Sequence, residues 1–106
     1  MKYVSRLYEA AEELGRRKAE MFGARLELIR ATKAFKSKTL AFALPFPGKS
    51  EDWTKMARQA VFEAAKELEH AQARKFFARV NVQYAMREYN QRKQKYRDAV
   101  MKGENH

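Results

Sequence analysis

Basic and aromatic side chains are interspersed through the C-terminal part of this chain. Guanidinium and ammonium groups neutralise phosphates or carboxylates, and tyrosine rings stack on unpaired bases. A second basic run, Arg16-Arg17-Lys18, lies near the N-terminus. The residues that could bind nucleic acid or an acidic protein surface are therefore Arg16, Arg17, Arg79, Arg87, Arg92, Lys93, Lys95 and Arg97.

The prediction of a binding surface rests on charge alone. The sequence contains no RNP motif, zinc-finger spacing, KH loop or convincing helix-turn-helix. Basic residues also occur all round the predicted C-terminal helix rather than along one stripe. A solvated helix surface around core tyrosines would produce the same composition, so both interpretations stay open.

Glu67 and His70 form the other chemically suggestive pair. A Glu-x-x-His spacing places a carboxylate and an imidazole on one helical face, as in di-metal carboxylate bundles. A glutamate from a facing helix would have to complete the site, and Glu27 is the candidate. The motif is short enough to arise by chance, so we expect neither a metal nor a cofactor.

Enzymatic motifs are missing from the sequence. There is no cysteine, no glycine-rich phosphate loop and no nucleophile motif, and the three serines occupy terminal, turn or capping contexts. We therefore predict a non-enzymatic protein without a small-molecule substrate.

The net charge of +10 reflects 23 Lys and Arg against 13 Asp and Glu. Such a field attracts polyanions or acidic protein surfaces. The N-terminal region is charged and has no apolar segment of signal-peptide or membrane-span length. We expect a cytoplasmic protein with no membrane partner.

Hydrophobic periodicity predicts a first helix over about 3–43. At 100° per residue from Val4, one broad apolar stripe runs along it. Gly15 lies on the stripe and is a candidate point of close helix approach. The predicted stripe consists of Val4, Leu7, Tyr8, Ala11, Leu14, Phe22, Leu26, Ile29, Leu40, Ala43 and Leu44.

Pro45 and Pro47 end this helix and predict a turn over 44–50. Ser50 is then an N-cap, followed by a second helix over about 51–102 that could break near the β-branched pair in 80–82. Gly103 supplies a C-terminal stop. The whole chain, 1–106, is predicted to be one helical domain.

The second helix has two apolar faces. An alanine-rich seam predicts close packing against the first helix: Trp53, Ala57, Ala60, Ala64, Leu68, Ala71, Ala78, Val82, Ala85, Tyr89, Tyr96 and Val100. Nearly opposite lie Phe62, Ala65, Ala73, Phe76, Val80 and Tyr84, with Phe77 beside them. The first helix has a milder back face of Ala24, Ala31, Phe35 and Phe42.

One partner helix covers only one face. The predicted fold is therefore all-α: a long antiparallel helical hairpin, either bent into a three-helix bundle or dimerised into a four-helix bundle.

A tight turn would place Tyr3 opposite about Gln91 and Glu27 near Glu67. The last dozen helical residues would then form a basic overhang. Two functions follow: a basic accessory protein that binds nucleic acid or a nucleoprotein complex, or a protein-interaction module, such as an inhibitor or adaptor, docking on an acidic partner. A homodimer is compatible with either.

Overall fold

The computed structural model describes residues 2–43 and 50–103, and these form two α-helices and no strand. Helix α1 spans Lys2–Ala43 and helix α2 spans Glu51–Met101. The all-α prediction is confirmed. Helix α2 continues through 80–82, so the described residues contain no third helix. Of the predicted turn over 44–50, residues 44–49 lie outside the described residues.

Both ends of α2 are capped by the residues that the sequence indicates. Ser50 Oγ accepts a hydrogen bond from the Trp53 backbone N–H at 3.0 Å, which confirms the N-cap. Glu51 and Asp52 occupy the first turn, where the helix dipole favours negative charge. At the other end Gly103 has a φ of 75°, and its N–H donates to the Val100 carbonyl at 3.1 Å.

The chain divides into two compact units. Unit 1 contains residues 1–23 and 76–106, which are the first half of α1 and the second half of α2. Unit 2 contains residues 24–75, with the remaining half of each helix. Each unit is therefore built from one segment of α1 and one segment of α2.

In unit 1 the two segments run antiparallel. Tyr3 lines a cleft together with Asp98 and Ala99, whereas Glu9 lines another together with Glu88. Ala99 is only 5% exposed. The predicted overhang after Gln91 is therefore wrong, because the start of α1 covers α2 as far as its last turns.

In unit 2 the register of the two helices is seen from Glu27, which pairs with Arg74. The tight-turn register would have placed Glu27 near Glu67, seven residues earlier on α2. A shift of seven residues keeps the same face of α2 toward α1. It also gives Glu27 an ion-pair partner of opposite charge, although Glu67 still lines the same cleft as Glu27 and Arg74.

The residues that pack between the helices follow a seven-residue repeat. Buried and half-buried positions alternate at spacings of three and four along both helices, as in coiled coils. On α1 they are Tyr3, Leu7, Ala10, Leu14, Arg17, Met21, Ala24, Leu28, Ala31, Phe35 and Phe42. On α2, from Leu68 onward, they are Leu68, Ala71, Lys75, Ala78, Val82, Ala85, Tyr89, Arg92, Tyr96 and Ala99.

The predicted seam of α2 is confirmed at every position except Val100, which is 56% exposed beside the buried Ala99. The predicted stripe of α1 is largely wrong. Val4, Leu7 and Leu14 are half-buried, but Phe22, Ile29 and Leu40 are exposed. Helical angles assigned at 100° per residue rotate by about 20° per heptad relative to a seam that repeats every 3.5 residues. The error in the predicted face therefore grows along the helix. The supposed back-face residues Ala24, Ala31, Phe35 and Phe42 lie on the true seam.

The buried core of the described residues consists of small side chains. Its members are Ala10, Ala24, Ala64, Ala71, Ala78, Val82, Ala85 and Ala99. Such residues allow close helix packing but cover little of the larger apolar side chains. Those side chains are left at the periphery of the seam or on the outer helix faces.

Candidate interaction surface

An aromatic patch lies on the outer face of α2 in unit 1. We define the aromatic patch as Phe76, Phe77, Val80, Tyr84 and Arg87. Phe76 is 57% exposed and Phe77 and Tyr84 are each 63% exposed, whereas Val80 is half-buried. All five follow one another over about three helical turns, on the side away from the buried Ala78, Val82 and Ala85.

The rings of the patch contact each other and a cation. Phe76 and Phe77 make an edge-to-face contact, with centroids 5.6 Å apart and planes at 75°. The Arg87 guanidinium carbon lies 5.8 Å from the Tyr84 ring centroid. The patch therefore combines apolar anchors with a guanidinium that still faces solvent.

Negative charge is missing from this part of α2. No Asp or Glu occurs between Glu69 and Glu88, and within unit 1 this stretch carries Arg79 and Arg87. Unit 1 as a whole has 12 basic and 7 acidic side chains, a formal net charge of +5. A docking partner would meet apolar rings bordered by positive charge.

Three of the basic residues predicted from the sequence are engaged in ion pairs. Arg16 contacts Glu13, and Arg17 Nε donates to Glu13 Oε1 at 2.7 Å and reaches Glu20 through Nη1. Arg92 Nε donates to Glu88 Oε1 at 2.8 Å. These pairs are of the i, i+3 or i, i+4 kind and contribute a few tenths of a kcal/mol each.

The other five predicted basic residues lie in different surroundings. Arg79 and Arg97 are exposed, Arg87 belongs to the aromatic patch, Lys93 is half-buried and Lys95 lines a cleft with α1. Within the described residues none of the five forms an ion pair. Their positive charge is thus available to an anionic partner.

Glu67 and His70 are both exposed on α2 in unit 2. The glutamate expected to complete their site, Glu27, is held by Arg74, whose Nε donates to Glu27 Oε2 at 2.8 Å. Across residues 2–43 and 50–103, no three His, Cys, Asp or Glu side chains are grouped as metal ligands would be.

In unit 2 the outer face of α1 is a surface that the sequence reasoning missed. Leu26, Ile29 and Leu40 are exposed there, and Lys33 and Lys36 share the face. No acidic residue occurs between Glu27 and Glu51. The seven-residue repeat in the sequence could have revealed this surface, because it assigns these positions to the outer face of α1.

The described parts of the two helices contain no stretch that is apolar and long enough to cross a membrane.

No protein-family model matches the chain, and no curated protein and no solved structure is significantly similar to it.

Proposed function

We propose that this chain is a non-enzymatic helical hairpin that binds an acidic partner protein through the aromatic patch. The observation that carries the proposal is the exposure of Phe76, Phe77 and Tyr84 in a stretch of α2, between Glu69 and Glu88, that has no acidic residue. A fully covered aromatic side chain buries about 150–250 Å². Three rings at this exposure therefore offer roughly 350 Å² of apolar surface.

Apolar patches of about this size occur on monomeric proteins and are often functional. Rigid aromatic side chains flanked by arginine are also the residue types that dominate binding energy at interfaces. An amphipathic partner helix laid across the patch would cover the rings and complete a three-helix bundle in unit 1. The basic surroundings would raise the association rate of an acidic partner and disfavour a basic one.

The proposal favours a partner over a second copy of the chain. A homodimer through this patch would bring the positively charged surfaces of two copies together. Each unit 1 carries a net charge of +5, so the approach of two copies is opposed at low salt. A dimeric four-helix bundle is the competing arrangement, and light scattering at low salt distinguishes the two.

Nucleic-acid binding is the second candidate function. It is favoured by the net charge of +10 and by Tyr84 beside Arg87, a ring and a guanidinium that could engage a base and a phosphate. Against it stand the ion pairs of Arg16, Arg17 and Arg92 and the lack of a nucleic-acid-binding motif in the sequence. We place either activity in the cytoplasm.

Site-specific photo-crosslinking in cells that make the protein tests the proposal. The photoreactive residue p-benzoylphenylalanine replaces Phe77 in one variant and the exposed Ala19 of α1 in a control variant. We expect a protein adduct at position 77 and not at position 19, with an acidic crosslinked peptide. An adduct with nucleic acid, an adduct with a second copy, or equal labelling at both positions would overturn the proposal.

A further inference from the structure

A second site lies at the other end of unit 1 from the aromatic patch, where α1 begins and α2 ends. We call it the end cleft. Its volume is about 330 Å³, at the lower limit of small-ligand pockets. Its lining residues are Lys2, Tyr3, Arg6, Lys95, Asp98, Ala99 and Lys102.

The lining of the end cleft is unbalanced in charge. Four of the side chains are cationic and one, Asp98, is anionic. Asp98 Oδ1 already accepts a hydrogen bond from Gln94 Nε2 at 2.9 Å. Among the described residues, none of Lys2, Arg6 and Lys95 forms an ion pair. Cations gathered in this way attract an anion, although Arg6 also lines a neighbouring cleft with Glu9, Glu13 and Glu88.

The start of α1 does not offset this imbalance, because its first turn contains no acidic side chain. The buried Ala99 also lines the cleft.

We propose that the end cleft binds a phosphate group carrying two negative charges. A phosphate presents three strong acceptor oxygens, which suits cations arriving from two different helices. Arg6 can donate two parallel hydrogen bonds to one phosphate, whereas the lysines act as point charges around it. A monoanionic carboxylate would leave more of the positive charge without a partner. The site is separate from the aromatic patch and does not depend on the function proposed for it.

Ligand-dependent thermal stability tests the end cleft. Unfolding of the full chain is followed by circular dichroism in increasing sodium tripolyphosphate, with sodium chloride at matched ionic strength as the reference. The test variant is Arg6→Gln with Lys95→Gln. The control, Lys33→Gln with Lys36→Gln, removes the same charge from exposed positions of unit 2.

We expect tripolyphosphate to raise the unfolding temperature of the unaltered chain above the chloride reference. The apparent affinity should fall about tenfold in the test variant and stay unchanged in the control. Equal losses in both variants would show general attraction of polyanions, and no gain over chloride would show no site. Either result overturns the proposal.

Two oligonucleotides of one sequence, with and without a 5′-phosphate, then distinguish the sources of the phosphate. Tighter binding of the phosphorylated strand, lost in the test variant, identifies the end of a nucleic acid. Equal binding of both strands assigns the cleft to a small phosphate ligand. Substitution of Phe76 and Phe77 should leave all of these affinities unchanged. The proposals for the end cleft and for the aromatic patch can therefore be refuted independently.

Discussion

Glu27 of α1 and Arg74 of α2 form a two-pronged ion pair between the helices of unit 2. Arg74 Nε donates to Glu27 Oε2 at 2.8 Å, and Arg74 Nη2 contacts Glu27 Oε1. The two residues are 47 positions apart in sequence and about half exposed. Parallel hydrogen bonds of this kind fix geometry more than they add stability.

A double-mutant cycle measures this pair. Glu27→Gln, Arg74→Gln and the double variant should each lose about 0.5–1 kcal/mol of unfolding free energy in urea, because the half-exposed charges are screened by water. We expect a coupling of about 0.5 kcal/mol that shrinks with added salt. Additive losses would show that the two side chains do not interact in solution.

The close approach of the helices at Ala71 gives a second prediction. Ala71 is fully buried, whereas Ala73, two residues away on the same helix, is exposed. Ala71→Leu should lower the unfolding free energy by about 1–3 kcal/mol, because the added carbons would push the helices apart. Ala73→Leu is the matched control and should change it by less than about 0.5 kcal/mol. Urea denaturation that gives equal effects would contradict the assigned seam.

Gly15 gives a third prediction and corrects an expectation from the sequence. A Cβ atom at this position would meet nothing within 4 Å, so the glycine does not serve a close helix approach. Gly15→Ala should therefore stabilise the protein by about 0.5–1 kcal/mol by restricting the unfolded chain and favouring helix. The check is a rise in the thermal unfolding midpoint, and a fall would mean that another element contacts this position.

The N-cap of α2 gives a fourth prediction. Ser50→Ala removes the acceptor for the Trp53 N–H and should lower the unfolding free energy by about 1 kcal/mol. Ser37→Ala is the control, because Ser37 is exposed within α1 and alanine favours a helix interior. Circular dichroism should show a lower thermal midpoint only for Ser50→Ala.

The seam of α2 could be predicted from its alanines. Small side chains mark a close contact between helices, whichever residue the helical angles are counted from. The seam of α1 could not be followed with 3.6 residues per turn. The face predicted in this way coincides with the seam near Leu7 but has turned to the outside of the helix by Ile29. A seven-residue repeat would have found it.

The register could not be predicted from the turn. It depends on contacts between distant residues, such as Glu27 with Arg74, and a shift of one heptad leaves the hydrophobic pattern unchanged. The aromatic patch, in contrast, was visible as a second apolar face. The end cleft could not be predicted from the sequence, because its cations come from opposite ends of the chain.

The central claim is that the aromatic patch binds an acidic amphipathic helix. Its most direct test is isothermal titration of the chain with a designed three-heptad peptide that carries leucines on one face and glutamates beside them. Phe76→Ser with Phe77→Ser should weaken binding at least about tenfold, because most of the apolar contact is lost. Phe62→Ser, at another exposed ring in unit 2, should leave the affinity unchanged. Equal affinities for all three proteins, or binding of an oligonucleotide but not of the peptide, would contradict the claim.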